Sequence, residues 1–223
     1  MQLTVYNGSP RGAHSNTRLL LDRFLRGFEH RSGETHRLHY LVKLKQRDEQ
    51  LRDFVEAPGP VLLAFPLYTD CMPGLVKNFI EDLRPLCGRD KLPPVLFLVQ
   101  SGFPEAHHSR YVERYLEKLT RRLGCRYLGT MVRGGAEGIQ VMPGIMTRKL
   151  FGLMYKLGSR LAQTGELDPG LLRKLASPEQ LSPFAQWLYK KLLYRMSNNY
   201  WNGMLKKNKA LGRCKDRPFT EKQ

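Results

Sequence analysis

Two uniformly apolar runs, Val61–Phe65 (VLLAF) and Val95–Val99 (VLFLV), constrain the fold more than any other feature of the sequence. Runs this short and this apolar suit strands buried on both faces, as in a parallel sheet covered by helices on each side. A half-exposed strand alternates instead, as His36–Leu41 (HRLHYL) does, which places that segment at a sheet edge. Leu3–Tyr6 (LTVY) is another short apolar run, ending at Asn7-Gly8, and Arg126–Val132 (RYLGTMV) gives the last strand signal. Helical spacings lie between them. Leu20, Phe24 and Phe28 recur every four residues with Leu21 and Leu25 alongside, predicting a helix over 17–28 that Ser15 or Asn16 caps. Leu75, Phe79, Leu83 and Leu86 predict a helix over 74–87; Tyr111, Tyr115 and Leu119 predict one over 110–123. Strand and helix thus alternate about five times, the pattern of an α/β domain built on a parallel sheet.

Past a glycine-rich loop, 134–144, the chain reads as helical from Ile145. Asp168-Pro169, Ser177-Pro178 and Ser182-Pro183 each put a capping residue before a proline at the first helical position, and Ser177 with Gln180 fits a capping box. With 223 residues, the chain suits one domain of about 150–200 residues plus an extension. The expected division is a domain over 1–140 and a basic helical extension over 141–223, packed on it. The 37 basic and 20 acidic side chains give a net charge of +17. They divide as 21 and 15 before residue 141, and 16 and 5 after it. Such a balance favours anionic partners: phosphorylated cofactors, nucleic acid or an anionic membrane surface. No nucleic-acid motif accompanies it, so nucleic acid is not the expected partner. Near the end, Phe184, Leu188 and Leu192 are spaced by four beside Trp187, Lys190, Lys191 and Arg195. Tyr200, Trp201, Met204 and Leu205 follow, ahead of Lys206, Lys207 and Lys209. This segment is expected to dock on the domain or on a second subunit with its lysines in water; lying on an anionic membrane is the alternative.

Cys71, Cys87, Cys125 and Cys214 form no CxxC pair, and no Cys/His cluster has metal-ligand spacing, so no metal site is expected. The start, MQLTVYNGSP, lacks a basic segment followed by an apolar one. Reduced thiols and a cytoplasmic location are therefore expected. The longest stretches without a charged residue, 57–69 and 92–104, are thirteen residues each, short of the about 18 that suggest a membrane span.

The segment that carries most chemistry is Gly8-Ser9-Pro10-Arg11-Gly12-Ala13-His14-Ser15-Asn16-Thr17, between the first strand and the first helix. Phosphate groups bind there in open α/β sheets, where successive N–H groups and a helix N-terminus present positive partial charge. It is neither GxGxxG nor GxxxxGK[ST], so it carries neither a dinucleotide nor a nucleoside-triphosphate fingerprint. The loop resembles the GSPRxxSNT-type loop of flavodoxin-like NADPH-dependent FMN reductases and related NAD(P)H oxidoreductases. Pro66-Leu67-Tyr68-Thr69-Asp70-Cys71-Met72-Pro73-Gly74-Leu75-Val76-Lys77-Asn78-Phe79-Ile80 is similar to the segment that lines the flavin ring in that family. Ser101-Gly102-Phe103-Pro104-Glu105 resembles its second flavin-facing loop. The three motifs fall after strands one, three and four in the right order, and the resemblance covers about residues 1–140.

The resemblance implies a flavodoxin-like five-stranded sheet in the order 2-1-3-4-5, bound FMN, and NADH or NADPH as co-substrate. It implies hydride transfer to a small-molecule acceptor such as a quinone, flavin or nitro compound, and a homo-oligomer. It puts Ser9, Arg11, Ser15, Asn16 and Thr17 on the FMN phosphate, and Pro66, Leu67, Tyr68, Thr69, Met72, Ser101, Gly102 and Phe103 near the ribityl chain or ring. Tyr68 is the expected stacking residue. No catalytic side chain is implied, because the flavin does the chemistry. A flavodoxin-type electron carrier, or a flavin-binding protein with a basic membrane or nucleic-acid surface, are the competing readings. Residues 41–57, where iron–sulfur relatives carry cysteines, contain none, so no cluster is expected. Cys71 reads as a small filler residue, and His107 and His108 as a solvated pair.

Overall fold

The computed structural model describes residues 2–89 and 91–217. The side chains of 192–197, among them Leu192 and Arg195, lie outside the described residues, as does the end of the expected extension, 218–223. Five strands, β1 (Leu3–Asn7), β2 (His36–Tyr40), β3 (Val61–Pro66), β4 (Val95–Gln100) and β5 (Tyr127–Arg133), form one sheet. Their order is β2-β1-β3-β4-β5 and every pairing is parallel. This is the expected topology, and its cause is visible in burial. Every residue of β3 and β4 is buried, whereas β2 at the edge is only partly so.

Successive residues of the central strands feed two cores, as the period of two requires. Leu62, Ala64, Leu96 and Leu98 face helices α1 (Asn16–Ser32) and α5 (Gly144–Thr164). Leu63, Phe65, Phe97 and Val99 face the other way, against Phe54 of α2 (Arg47–Val55), Phe79 of α3 (Gly74–Asp82) and Leu116 of α4 (Arg110–Leu123). α2 was not legible in the sequence, because of its nine residues only Gln50 and Phe54 are buried. Tertiary contact fixes it instead: buried Tyr6 donates its hydroxyl to Gln50 O at 2.7 Å. The helix expected to run to 87 ends at Asp82, and Arg84–Leu86 close as a 3-10 turn around Pro85, which has no N–H to continue an α-helix.

α5 belongs to the core. Its Leu150, Met154, Leu157 and Leu161 join Leu20, Leu21, Phe24, Leu25 and Phe28 of α1. The two helix backbones meet at a pair of glycines. A Cβ on Gly27 would overlap the carbonyl of Tyr155, and one on Gly158 would overlap the carbonyl of Phe24. α6 (Pro169–Ala176) then caps the β5 side, with Leu175 buried and its carbonyl accepting from Arg133 Nη1 at 3.3 Å. The chain therefore divides into compact units after Gln180, forty residues beyond the boundary expected at 140.

The proline-marked helix starts fare unequally. Asp168 caps α6 by accepting from Leu171 N at 2.9 Å. Ser182 caps α7 (Pro183–Leu188) by accepting from Ala185 N at 3.2 Å. Ser177-Pro178 starts no helix, which corrects the expectation for it. Its neighbours pair with the turn before α4 instead: Ala106 N donates to Pro178 O at 3.0 Å and His107 N to Glu179 O at 3.2 Å. The Glu179 carboxylate accepts from Arg110, which holds it below the usual carboxylate range. The second unit, taken by itself, consists of α7, a π-turn over Tyr189–Leu193, α8 (Tyr194–Lys207) and a 3-10 turn over Leu211–Arg213.

The glycine crossing makes a quantitative prediction. Glycine to alanine in an open helix position stabilises by up to about 1 kcal/mol. Gly152, where a Cβ meets nothing within 4 Å, should behave that way. Gly27→Ala and Gly158→Ala should each instead destabilise by about 1–3 kcal/mol, as overpacking does. Urea midpoints of the three variants check the sign; stabilisation at Gly27 or Gly158 would refute the close crossing.

Candidate functional site

The loops after β1, β3, β4 and β5 contribute to one region at the carboxyl end of the sheet, where the chain leaves β1 and β3 in opposite directions. A cavity of about 110 Å³ sits there. The β1 loop, 8–15, forms one wall. Gly8 is required because a Cβ would overlap the Val76 side chain and sit 3.3 Å from Phe65 Cβ; its N–H donates to Ala64 O at 2.7 Å. Buried Asn7 folds the loop: Oδ1 accepts from Ser9 N at 3.0 Å, and Nδ2 donates to Gly12 O at 3.3 Å. Gly12 takes a left-handed turn at φ +53°.

Ser15 is the cap of α1. Its Oγ accepts from Arg18 N at 3.1 Å and donates to Gly12 O at 2.7 Å, so its hydroxyl hydrogen is committed to the loop. Asn16 is the first helical residue. Its amide donates to Ala136 O at 2.8 Å and to Glu137 O at 3.1 Å, tying α1 to the loop after β5 across 120 positions of sequence. The Asn16 Oδ1 is buried without a hydrogen-bond partner among the described residues. The backbone N–H groups of Asn16 and Thr17 precede the first i to i−4 bond of the helix and have no intrahelical acceptor. Ser9 Oγ accepts from Arg11 N at 3.3 Å and keeps its own hydrogen for a donor role. This end of the cavity therefore offers N–H groups, a hydroxyl and the Arg11 guanidinium, a donor set suited to an anion.

Of the five loop residues expected on a phosphate, Ser9, Arg11, Ser15 and Asn16 line the cavity. Thr17 is wholly buried beneath it and accepts from Gln100 Nε2 at 3.4 Å. Pro66, Leu67 and Tyr68 form the opposite wall. Tyr68 is 47% exposed, and its N–H and C=O pair with Cys71 in a tight hairpin. Thr69 and Asp70 occupy the hairpin tip at φ 48° and 60°, away from the cavity lining. Met72 packs into the core with Val76 and Phe79 and does not line it either. Ser101 and Gly102 do; Phe103 lies outside the lining and stacks on His108, ring centroids 4.3 Å apart. Two lining residues were missed, Gln100 and Glu137. Gln100 was signalled by a polar residue ending an apolar strand, Glu137 by a glycine-rich loop following β5 on the same sheet edge.

His107 and His108 are not a freely solvated pair. Their rings lie 4.0 Å apart, and His108 reaches Asp70 at 3.6 Å and Glu105 at 3.7 Å. All four cysteines are free thiols; burial pushes the Cys125 thiol up to about 11, while Cys71 is exposed on the hairpin. A larger groove of about 730 Å³ runs along α5 and α6 past Arg148, Lys149, Lys156 and Lys174, but no strand-end loop forms it.

Strand order and strand-end cleft together define a flavodoxin-like α/β protein. No protein-family model matches the chain, and no curated protein matches it. Solved structures do. An azoreductase, AzrA, aligns with a TM-score of 0.55 at 14% identity, covering 73% of this chain and 99% of its own. An NADH:FMN oxidoreductase, EMOB, in its apo form aligns at 0.53 and 17%, covering 82% and 92%. RosB with bound 8-demethyl-8-formylriboflavin-5'-phosphate aligns at 0.55 and 15%, covering 86% and 87%. These likenesses establish a shared fold.

The Asn16 tie is testable without any ligand. Asn16→Ala leaves the Ala136 and Glu137 carbonyls without their donor, at a cost of about 1–3 kcal/mol. Hydrogen exchange over residues 134–140 should accelerate in this variant while β3 and β4 stay protected. Unchanged exchange in that loop would show that the amide does not hold it.

Proposed function

We propose that the protein binds FMN and acts as an NAD(P)H-dependent oxidoreductase, passing a hydride from NADH or NADPH by way of the flavin to a small-molecule acceptor of the quinone, flavin or nitro class. The observation that carries this reading is the anion-ready loop 8–17 facing an aromatic hairpin across one strand-end cavity. Its donor chemistry fits a phosphate: Ser9 Oγ, the Arg11 guanidinium and the N–H group of Asn16 at the start of a 17-residue helix. The cavity, about 110 Å³, is smaller than the about 300–1,000 Å³ of pockets that enclose a whole ligand. It suits the phosphate end of FMN and part of its ribityl chain, with the ring left at the rim. The unpartnered Asn16 Oδ1 and the Glu137 carboxylate are acceptors suited to ribityl hydroxyls.

Bound FMN supplies the hydride-accepting ring. The chain's own residues bind and orient it. Tyr68, exposed beside Pro66 and Leu67, offers a face for stacking. Ser101 and Gly102 bring backbone to the same rim. Ser15 and Asn16 act one step back, fixing the loop and α1 through Gly12 and Ala136. The named activities and ligand of the EMOB and RosB neighbours support the same assignment by analogy. A homo-oligomer is part of this proposal.

The test is to purify the protein, release any chromophore by heat and identify it, then to measure FMN and riboflavin affinities. FMN should bind more tightly than riboflavin. Arg11→Ala and Ser9→Ala should each weaken FMN about 10–100-fold, the value of a hydrogen bond to a charged group, and leave riboflavin unchanged. Equal affinity for the two flavins would remove the phosphate assignment. Anaerobic NADH or NADPH should bleach the bound flavin, and Tyr68→Ala should slow that step more than it weakens FMN binding. A flavin that neither nucleotide bleaches would make the protein an electron carrier instead.

A further inference from the structure

Residues 181–217 combine cations and large apolar side chains with almost no acid. Nine are Lys or Arg, and Asp216 is the single carboxylate. None of the described residues in this unit is buried, so α7 and α8 have no interior of their own. Yet Phe184, Trp187 and Leu188 follow i, i+3, i+4 spacing and share one face of α7. Phe184 is 71% and Trp187 52% exposed, their rings stack at 6.0 Å, and the Lys191 ammonium sits 4.6 Å over the Trp187 ring. On α8, Tyr200, Trp201 and Met204 form a second exposed face, with Trp201 60% exposed, ahead of Lys206, Lys207 and Lys209.

We propose that residues 181–217 are a peripheral anchor that lays α7 and α8 on a bilayer containing anionic phospholipid. The aromatic rings sit at the boundary of headgroups and acyl chains, and the lysines reach the lipid phosphates. Charge selects this occupant. Residues 1–180 hold 27 basic and 18 acidic side chains, so neither the rest of the chain nor a second copy offers the complementary net charge. An anionic leaflet does, and each lysine near it adds attraction. Tryptophan and tyrosine favour headgroup depth, and lysine stems extend from there towards water. The helices lie on the membrane instead of crossing it: no described helix is long and apolar enough to span one. The inference stands independently of the reductase reading.

The experiment uses the full chain. Both of its tryptophans, Trp187 and Trp201, lie in this unit, so tryptophan emission excited at wavelengths that spare tyrosine reports on it alone. The protein is titrated with vesicles of phosphatidylcholine, with and without phosphatidylglycerol, and binding is read by emission shift and by co-sedimentation. Emission should move to the blue on the anionic vesicles at low salt. Binding should fall about tenfold or more on pure phosphatidylcholine, and likewise at high salt. The triple variant Lys206→Glu, Lys207→Glu, Lys209→Glu should lose about a hundredfold in partitioning with its circular dichroism unchanged. Trp187→Ala with Trp201→Ala should also weaken co-sedimentation, which separates the apolar contribution from the charge. No binding to anionic vesicles at low salt would overturn the proposal. So would equal binding to both vesicle types, or emission already blue and protected from quencher without lipid, the sign of docking on protein.

Discussion

The close crossing of α1 and α5 at Gly27 and Gly158 is the constraint on which the site depends. Helices that meet through side chains adjust by rotamer changes, but these two meet backbone to backbone, with carbonyls where a Cβ would be. Such a contact leaves little freedom to slide. α1 is held along its length by Leu20, Phe24 and Phe28 against Met154, Leu157 and Leu161. Its N-terminus, with the N–H groups of Asn16 and Thr17, is thereby fixed at the end of the sheet. A helix drawn from the part of the sequence that reads as an extension thus sets the position of the anion-facing loop. This is why residues 141–180 belong to the first unit.

The same rigidity extends through the loops. Gly135 N donates to Phe103 O at 2.6 Å and Ala136 N to Ser101 O at 2.8 Å, joining the loops after β4 and β5. Gly134 allows that approach, since a Cβ there would lie 2.7 Å from the carbonyl oxygens of Phe103 and Pro104. Asn16 then clamps the β5 loop to α1, and Gln140 Nε2 donates to His14 O at 3.0 Å. Three chain segments far apart in sequence become one hydrogen-bonded rim. Groups fixed before a ligand arrives cost little to order when it binds, which is the physical basis of pre-organisation.

Strand positions were legible because β3 and β4 are buried on both faces and had to be apolar throughout. Sheet order was not legible from the residues; it followed from the motif resemblance. The loop 8–17 was readable as an anion site from its residue types, but the division of labour within it was not. Ser15 and Asn16 look like phosphate donors in sequence, yet their hydrogens are spent on Gly12, Ala136 and Glu137. Sequence spacing cannot express a bond across 120 positions. The same limit hid Gln100 and Glu137, whose place on the cavity depends on where β4 and β5 end. Ser177-Pro178 misled for the opposite reason: a valid local start signal was overridden by pairing with residues 106–110.

The net charge of +17 has a different physical meaning in each unit. Before residue 181, several cations are matched by acids. Arg18 pairs with Asp22, Arg37 with Asp53, Arg47 with Asp82, Arg110 with Glu113 and Glu179, and Arg126 with Glu166. Pairs like these at a surface add little stability, but they cancel field, so distant anions feel only the residue of each pair. Arg11 differs: no described acid pairs with it, and it lines the cavity. From residue 181 onward, Arg213 pairs with Asp216, the single carboxylate of residues 181–217, and the lysines of α8 have no nearby carboxylate in sequence. Uncancelled charge keeps its reach over about a Debye length, near 8–10 Å at physiological salt. That reach is short, so it favours a partner whose charge is spread over a surface above one that presents a single anion.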